Sequence, residues 1–116
     1  ERQEHYYIFT GQNDGKYQLA AKNDSIYLNN SDGVTFDRVV IKNGYFSLEY
    51  SGYGNTAGSY TIITFKYSER DKNWILHRTG SRFYLRYFTE ENDSKEFIKT
   101  SKDFGKILFK DYRDLY

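Results

Sequence analysis

The chain has 116 residues, enough for one domain with one hydrophobic core and no need of staples. Its 17 basic and 16 acidic side chains leave a net charge of +1, which offers no broad field to nucleic acid or to an anionic membrane. With no Cys there is no disulfide framework, no thiolate metal site and no thiol nucleophile.

Hydrophobic residues make up 38% of the chain and aromatic residues 20%, so Tyr and Phe replace much of the aliphatic core. Rings of that size fill a core with few residues and suit a pleated, half-buried surface. The chain starts at Glu1 without Met, which is compatible with a removed secretory or lipoprotein signal. Residues 1–5, "ERQEH", read as a frayed polar end. Strand candidates follow at Tyr6–Phe9, Tyr17–Ala20, Ser25–Leu28 and Arg38–Ile41. They are punctuated by turn signals "NDG" (Asn13–Gly15), "NNSDG" (Asn29–Gly33) and "KNG" (Lys42–Gly44).

Alternation then becomes clear. In "YFSLEY" (Tyr45–Tyr50), Phe46, Leu48 and Tyr50 share one face and Tyr45, Ser47 and Glu49 the other. "SGYGNTAGS" (Ser51–Ser59) reads as a long connection. In "YTIITFKY", Thr61, Ile63, Phe65 and Tyr67 share a face. After the turn "SERDKN" (Ser68–Asn73), Trp74 and Leu76 oppose Ile75 and His77. "TGS" (Thr79–Ser81) reads as a further turn, beyond which Phe83, Leu85 and Tyr87 oppose Arg82, Tyr84 and Arg86. Thr89–Gly105 has helical Glu and Lys spacings but few apolar residues, so a polar loop with a strand at Phe97–Lys99 is the better reading. Ile107–Phe109 is a last strand candidate. "FKDYRDLY" suits one helical turn with Phe109, Tyr112 and Tyr116 on a face. No apolar run approaches the ~18 residues of a membrane-spanning helix.

These elements predict a single all-β domain over residues 1–116. It is an antiparallel meander of about eight to ten short strands, closed as a sandwich or a partly closed barrel, with a short polar or helical C-terminal segment. The expected core includes Leu48, Ile63, Phe65, Trp74, Leu76, Phe83 and Leu85.

The blocks "DGKYQLAAKND", "VVIKNGYFSLEYSG", "TFKYSERDKNWILHR" and "KTSKDFG" resemble a set of small bacterial proteins of exported or lipoprotein-like character. Those chains share the order DGxYxLAxxND, IKNGxFS, TFxYSxxDxxWxLH and KxDFGK. The likeness spans most of residues 7–107 and is most specific in "TFKYSERDKNWILH". The early "NDGKYQLAA" is also similar to the strand–turn units of FG-GAP and VCBS repeats. In that set a Gly-Gly-Ser turn and a Trp-Arg-Trp cluster precede the Thr-Phe strand. Here the stretch is "SGYGNTAGSY", with Tyr53 and Tyr60 but no Trp, so that cluster's role does not carry over. The resemblance implies an exported bacterial β-domain, periplasmic, lipoprotein-anchored or secreted, and implies no activity.

The residues themselves give little chemistry. His5 and His77 are the only histidines and neither sits in a metal-ligand or catalytic motif. There is no G-x-S-x-G elbow, and Glu90–Glu91 lies in a polar run. Asp14, Asp24, Asp32, Asp37 and Asp71 read as turn acids that bond nearby N–H groups, since "NNSDG" lacks the terminal Glu of a calcium loop. No catalytic residue, cofactor or metal is therefore assigned. Two surfaces stand out: Tyr53 and Tyr60 in the Tyr-rich loop, and Arg82, Tyr84 and Arg86 interleaved on one strand. The competing account is a solvated face whose Arg side chains pair with Glu49, Glu69 or Asp71. The leading functional reading is a non-catalytic binding module for a protein or glycan and not for nucleic acid, as monomer or dimer. The alternatives are an immunity or inhibitor protein that caps a toxin or enzyme, and a hydrolase with an unrecognised site.

Overall fold

The computed structural model describes residues 5–26, 33–53, 57–85 and 94–113, without the side chains of Leu85 and Ser94. The turn residues Asn29–Asp32 and the candidates Tyr87 and Tyr116 lie outside the described residues.

Seven strands are described: β1 (Tyr6–Gly11), β2 (Tyr17–Asn23), β3 (Val34–Lys42), β4 (Tyr45–Tyr53), β5 (Ala57–Ser68), β6 (Asn73–Leu85) and β7 (Ser94–Thr100). All neighbours are antiparallel. Strands β3 to β7 form a five-stranded meander in sequence order, and β1 and β2 form a separate ribbon. The result is a sandwich-like all-β fold in which the described strands do not close into a barrel. Among the described residues no helix is long and apolar enough to cross a membrane.

Local chemistry sets the turns. Asn43 and Gly44 both have positive φ, 51° and 80°, between the paired residues Lys42 and Tyr45. This is the two-residue hairpin turn that Asn-Gly favours, because its twist matches that of the strands. At the β1–β2 turn the Asp14 carboxylate accepts from the Lys16 amide at 2.9 Å. Between β5 and β6, Ser68 and Asp71 bond to each other and Lys106 Nζ reaches Asp71 at 2.5 Å.

"TGS" is not a turn. Strand β6 runs unbroken through it, with Gly80 opposite Ile62 on one side and Ile98 on the other. The pieces read as two strands are one, made possible by a bulge. Phe65 pairs with Leu76 and Thr64 with Arg78, so His77 is the extra residue. The bulge reverses the phase of alternation. Before it, even-numbered Trp74 and Leu76 face the core; after it, odd-numbered Thr79, Ser81 and Phe83 take that face.

The front face of the sheet carries Phe46, Leu48, Tyr50, Ile63, Phe65 and Leu76, all buried. The ribbon packs over it near β3 and β4, where Tyr6 and Tyr50 hydroxyls bond at 2.9 Å and Tyr6 meets Phe36 edge-on. The C-terminal segment fills the rest of the gap. Thr100 and Asp103 form a capping box on the four-residue helix α1 (Ser101–Phe104). Ile107–Phe109 is not a strand of its own. Leu108 makes a single bridge to Ile75, and a 3-10 turn begins at Phe109. As the sequence indicated, Phe109 and Tyr112 turn inward together; both stack edge-on against Phe65 at 5.0 and 5.5 Å. Asn23, buried at the end of β2, holds this segment. Its Nδ2 donates to the carbonyls of Phe109 (2.6 Å) and Tyr112 (2.8 Å), and its Oδ1 accepts from the Ser25 amide. That bond, from an amide two residues on, makes a local turn at Asn23–Ser25, so Ser25 and Ile26 are not in a strand, while Tyr27 and Leu28 of that candidate lie outside the described residues.

Of the expected core, Leu48, Ile63, Phe65 and Leu76 are buried, and Trp74 packs against the cluster from its edge, 5.0 Å from Phe46. Phe83 is the correction: it is on the core face but 48% exposed. It lies along β6 beyond the ribbon and the C-terminal segment, with Phe97 on β7 beside it.

Candidate ligand-binding groove

The back face of the five-stranded sheet carries a groove of about 840 Å³. Strand register builds it in rows. The first row is Tyr53 on β4, Gly58 on β5 and Tyr84 on β6. The second is Ser51, Tyr60, Arg82 and Glu96. The third is Glu49, Ile62, Gly80 and Ile98, and the fourth Ser47, Thr64, Arg78 and Thr100. Successive rows lie roughly 6.6–6.8 Å apart, two residues along a strand.

Four of the five residues singled out in the sequence thus come together: Tyr53, Tyr60, Arg82 and Tyr84 all line this groove. The fifth, Arg86, lies outside the described residues. Tyr53 and Tyr60 are on strands rather than on a loop, since β4 extends to Tyr53 and β5 starts at Ala57. The Tyr84 ring lies across β5 over Gly58, where any Cβ would come within 2.6 Å of the phenol end. Tyr84 is half-buried there, so part of its ring stays open to the groove. At Gly80, by contrast, nothing lies within 4 Å of where a Cβ would be, so the groove is open down to the backbone.

One carboxylate beside the groove is buried. Glu49 is 6% exposed and accepts from the Tyr60 hydroxyl and from Arg38 Nε at 3.0 Å. The Tyr60 hydrogen bond, with Arg38 behind it, holds the Glu49 carboxyl below its usual range against the opposing effect of burial. The same bond pushes the Tyr60 phenol up, and Glu49 raises Arg38. The three groups lock one another, and Tyr60's hydroxyl is committed. Among the described residues neither Arg78 nor Arg82 pairs with Glu49, Glu69 or Asp71: Glu49 is taken by Arg38 and Asp71 by Lys106. Arg82 has only Glu96, at 3.7 Å, and Arg78 has no carboxylate partner among the described residues.

Lower on the same face a shallower hollow of about 590 Å³ adjoins Arg78, bordered by Lys66 and His77. There the Tyr45 ring meets His77 edge-on at 5.2 Å and lies under Lys66. His5 precedes β1, its Nδ1 2.6 Å from Asp24, whose carboxyl is lowered chiefly by that bond. Among the described residues no three His, Cys, Asp or Glu are grouped to hold a metal ion.

Ser51, Ile62, Thr64, Arg78, Gly80 and Glu96 also line the groove and were not assigned to a site from the sequence, although Arg78 stands in the same Arg-rich stretch as Arg82. Arg78, Gly80, Arg82 and Tyr84 keep period 2, a signal hidden by taking "TGS" as a turn. Glu96 depends on the β6–β7 register, for which the sequence carries no marker. Compared with known proteins, the chain matches no family, no curated protein and no solved structure.

Proposed function

We propose that the chain is a non-catalytic binding module that holds its ligand in the back-face groove, in the exported bacterial setting its sequence resemblance implies. The observation that carries this reading is the convergence of Tyr53, Tyr60, Tyr84 and Arg82 from three strands around an open floor at Gly80. Rings fixed by a rigid sheet give contact area with little ordering cost, the economy that binding surfaces use. The chemistry beside the groove supports binding over catalysis. Its one buried carboxylate, Glu49, is held ionised by two partners and is committed to positioning Tyr60.

An array carrying proteins and glycans, probed with the labelled chain, tests the reading. The double variant Tyr53→Ala/Tyr84→Ala should lose the signal, by about tenfold or more if both rings contact the ligand. Phe83→Ala/Phe97→Ala, on the opposite face, should keep it. The reverse pattern moves the binding surface to the front face and sinks the proposal.

A further inference from the structure

Resting on that reading, we propose that the groove's ligand is an acidic oligosaccharide, its carboxylates held by Arg78 and Arg82 and its rings laid over Gly80 and against Tyr84. Charge is the first reason. Two guanidinium groups enter the groove, one without a carboxylate partner among the described residues and one with a partner only at 3.7 Å. The lining is therefore left one positive charge in excess, and guanidinium is the side chain best shaped to take a carboxylate through two parallel hydrogen bonds.

Spacing is the second reason. Arg78 and Arg82 are four residues apart on one strand, about 13 Å at the β rise. Between them lies the row Glu49, Ile62, Gly80 and Ile98, whose one charge, Glu49, is buried against Tyr60 and Arg38 and whose centre has no side chain. That interval accepts an uncharged ring with an apolar face. It suits a chain whose acid groups are interspersed among hydroxyl-bearing rings. It does not suit a nucleic-acid strand, charged at every unit, nor a run of consecutive acidic residues.

Glu96 is the third reason. A carboxylate beside Arg82 repels a dense polyanion but accepts hydrogen bonds from sugar hydroxyls. Ser51 and Thr64 line the same walls with hydroxyls already bonded to Asp37 and Ser47, so each offers its remaining acceptor capacity to sugar hydroxyls. A sheet face offers no free backbone groups to an extended peptide, so side-chain chemistry alone selects the ligand.

Titration calorimetry with a panel of uronic-acid oligosaccharides of differing stereochemistry tests this, with their methyl esters, oligoglutamate and oligothymidylate alongside. At least one acid oligosaccharide should bind, and its methyl ester should bind about tenfold more weakly, the scale of a lost charged hydrogen bond. Arg78→Gln should produce a similar loss. Gly80→Leu should remove binding while leaving the melting temperature unchanged or raised, since its side chain enters open space in a mid-strand position. If neutral glycans, oligoglutamate or oligothymidylate bind best and Gly80→Leu abolishes that binding, the groove stands and the acidic-sugar assignment falls. Acid oligosaccharides that bind no better than their esters, or not at all, also overturn the assignment. Binding indifferent to Gly80→Leu overturns the groove itself.

Discussion

Glu49 shows how the desolvation of a single charge buried on the outer face of a sheet can be offset by its partners. An unpaired carboxylate there would lose its hydration with no return, but Tyr60 and Arg38 supply a hydroxyl and a guanidinium donor. Because the folded state holds Glu49 below its usual range, the unfolded chain binds its proton more readily. The stabilisation is complete above the ordinary carboxylate range and is lost as pH falls through the lower folded value. Glu49→Gln keeps an acceptor for Tyr60 but loses the charge. It should cost about 1–2 kcal/mol at pH 7, within the range of a charge-assisted bond. Urea unfolding at pH 7 and pH 4 checks this: the gap between wild type and variant should narrow at the lower pH, and a constant gap would assign the loss to packing instead. Charge alone did not reveal this pairing, because Glu49 and Arg38 meet only through a second bulge at Asp37 that sets the β3–β4 register.

At the scale of elements, β6 is the strand on which both faces depend. Its lower part pairs with the C-terminal segment and its upper part with β7, and His77 switches the phase between them. His77→Ala keeps the extra residue and touches an exposed side chain, so its stability should change by no more than about 0.5 kcal/mol. Deleting His77 removes the extra residue and lets Arg78 follow Leu76 in a regular ladder, with Arg78, Arg82 and Tyr84 still on the back and Phe83 on the front. The deletion should therefore keep ligand binding within about threefold of the Ala variant, as titration of both would show. Loss of binding in the deletion alone would show that the bend at the bulge, and not only the facing of the side chains, shapes the groove. Much of the meander was legible beforehand, because "KNG" names its own turn and "YFSLEY" and "YTIITFKY" sort cleanly into two faces. The candidate groove was legible in its residues but not in its assembly. Nothing local distinguishes "TGS" as strand, since Gly and Ser are turn formers by propensity and only pairing on both sides keeps Gly80 extended.

For the whole molecule, the two layers are unequal. A two-stranded ribbon and a short C-terminal segment cover part of a five-stranded sheet, giving a slab of 54 × 33 × 22 Å. Burial depends on position along each strand as well as on the face it belongs to. Phe65 and Phe83 are both front-face rings, yet Phe65 is fully buried and Phe83 is 48% exposed. Phe65→Ala should cost about 3–5 kcal/mol and Phe83→Ala less than about 1 kcal/mol, measured by chemical denaturation. Near-equal losses would mean that something covers Phe83 in solution. The reversal at His77 has one last consequence. Along β4, β5 and β6, one set of alternate positions answers to the core and the other lies on the face that carries the groove. Selection for a changed ligand can therefore act on this protein while leaving its stability almost untouched. On β6 the even positions carry the core up to Leu76 and specificity from Arg78 onward, so the pattern of tolerated substitution inverts its rhythm halfway along a single strand.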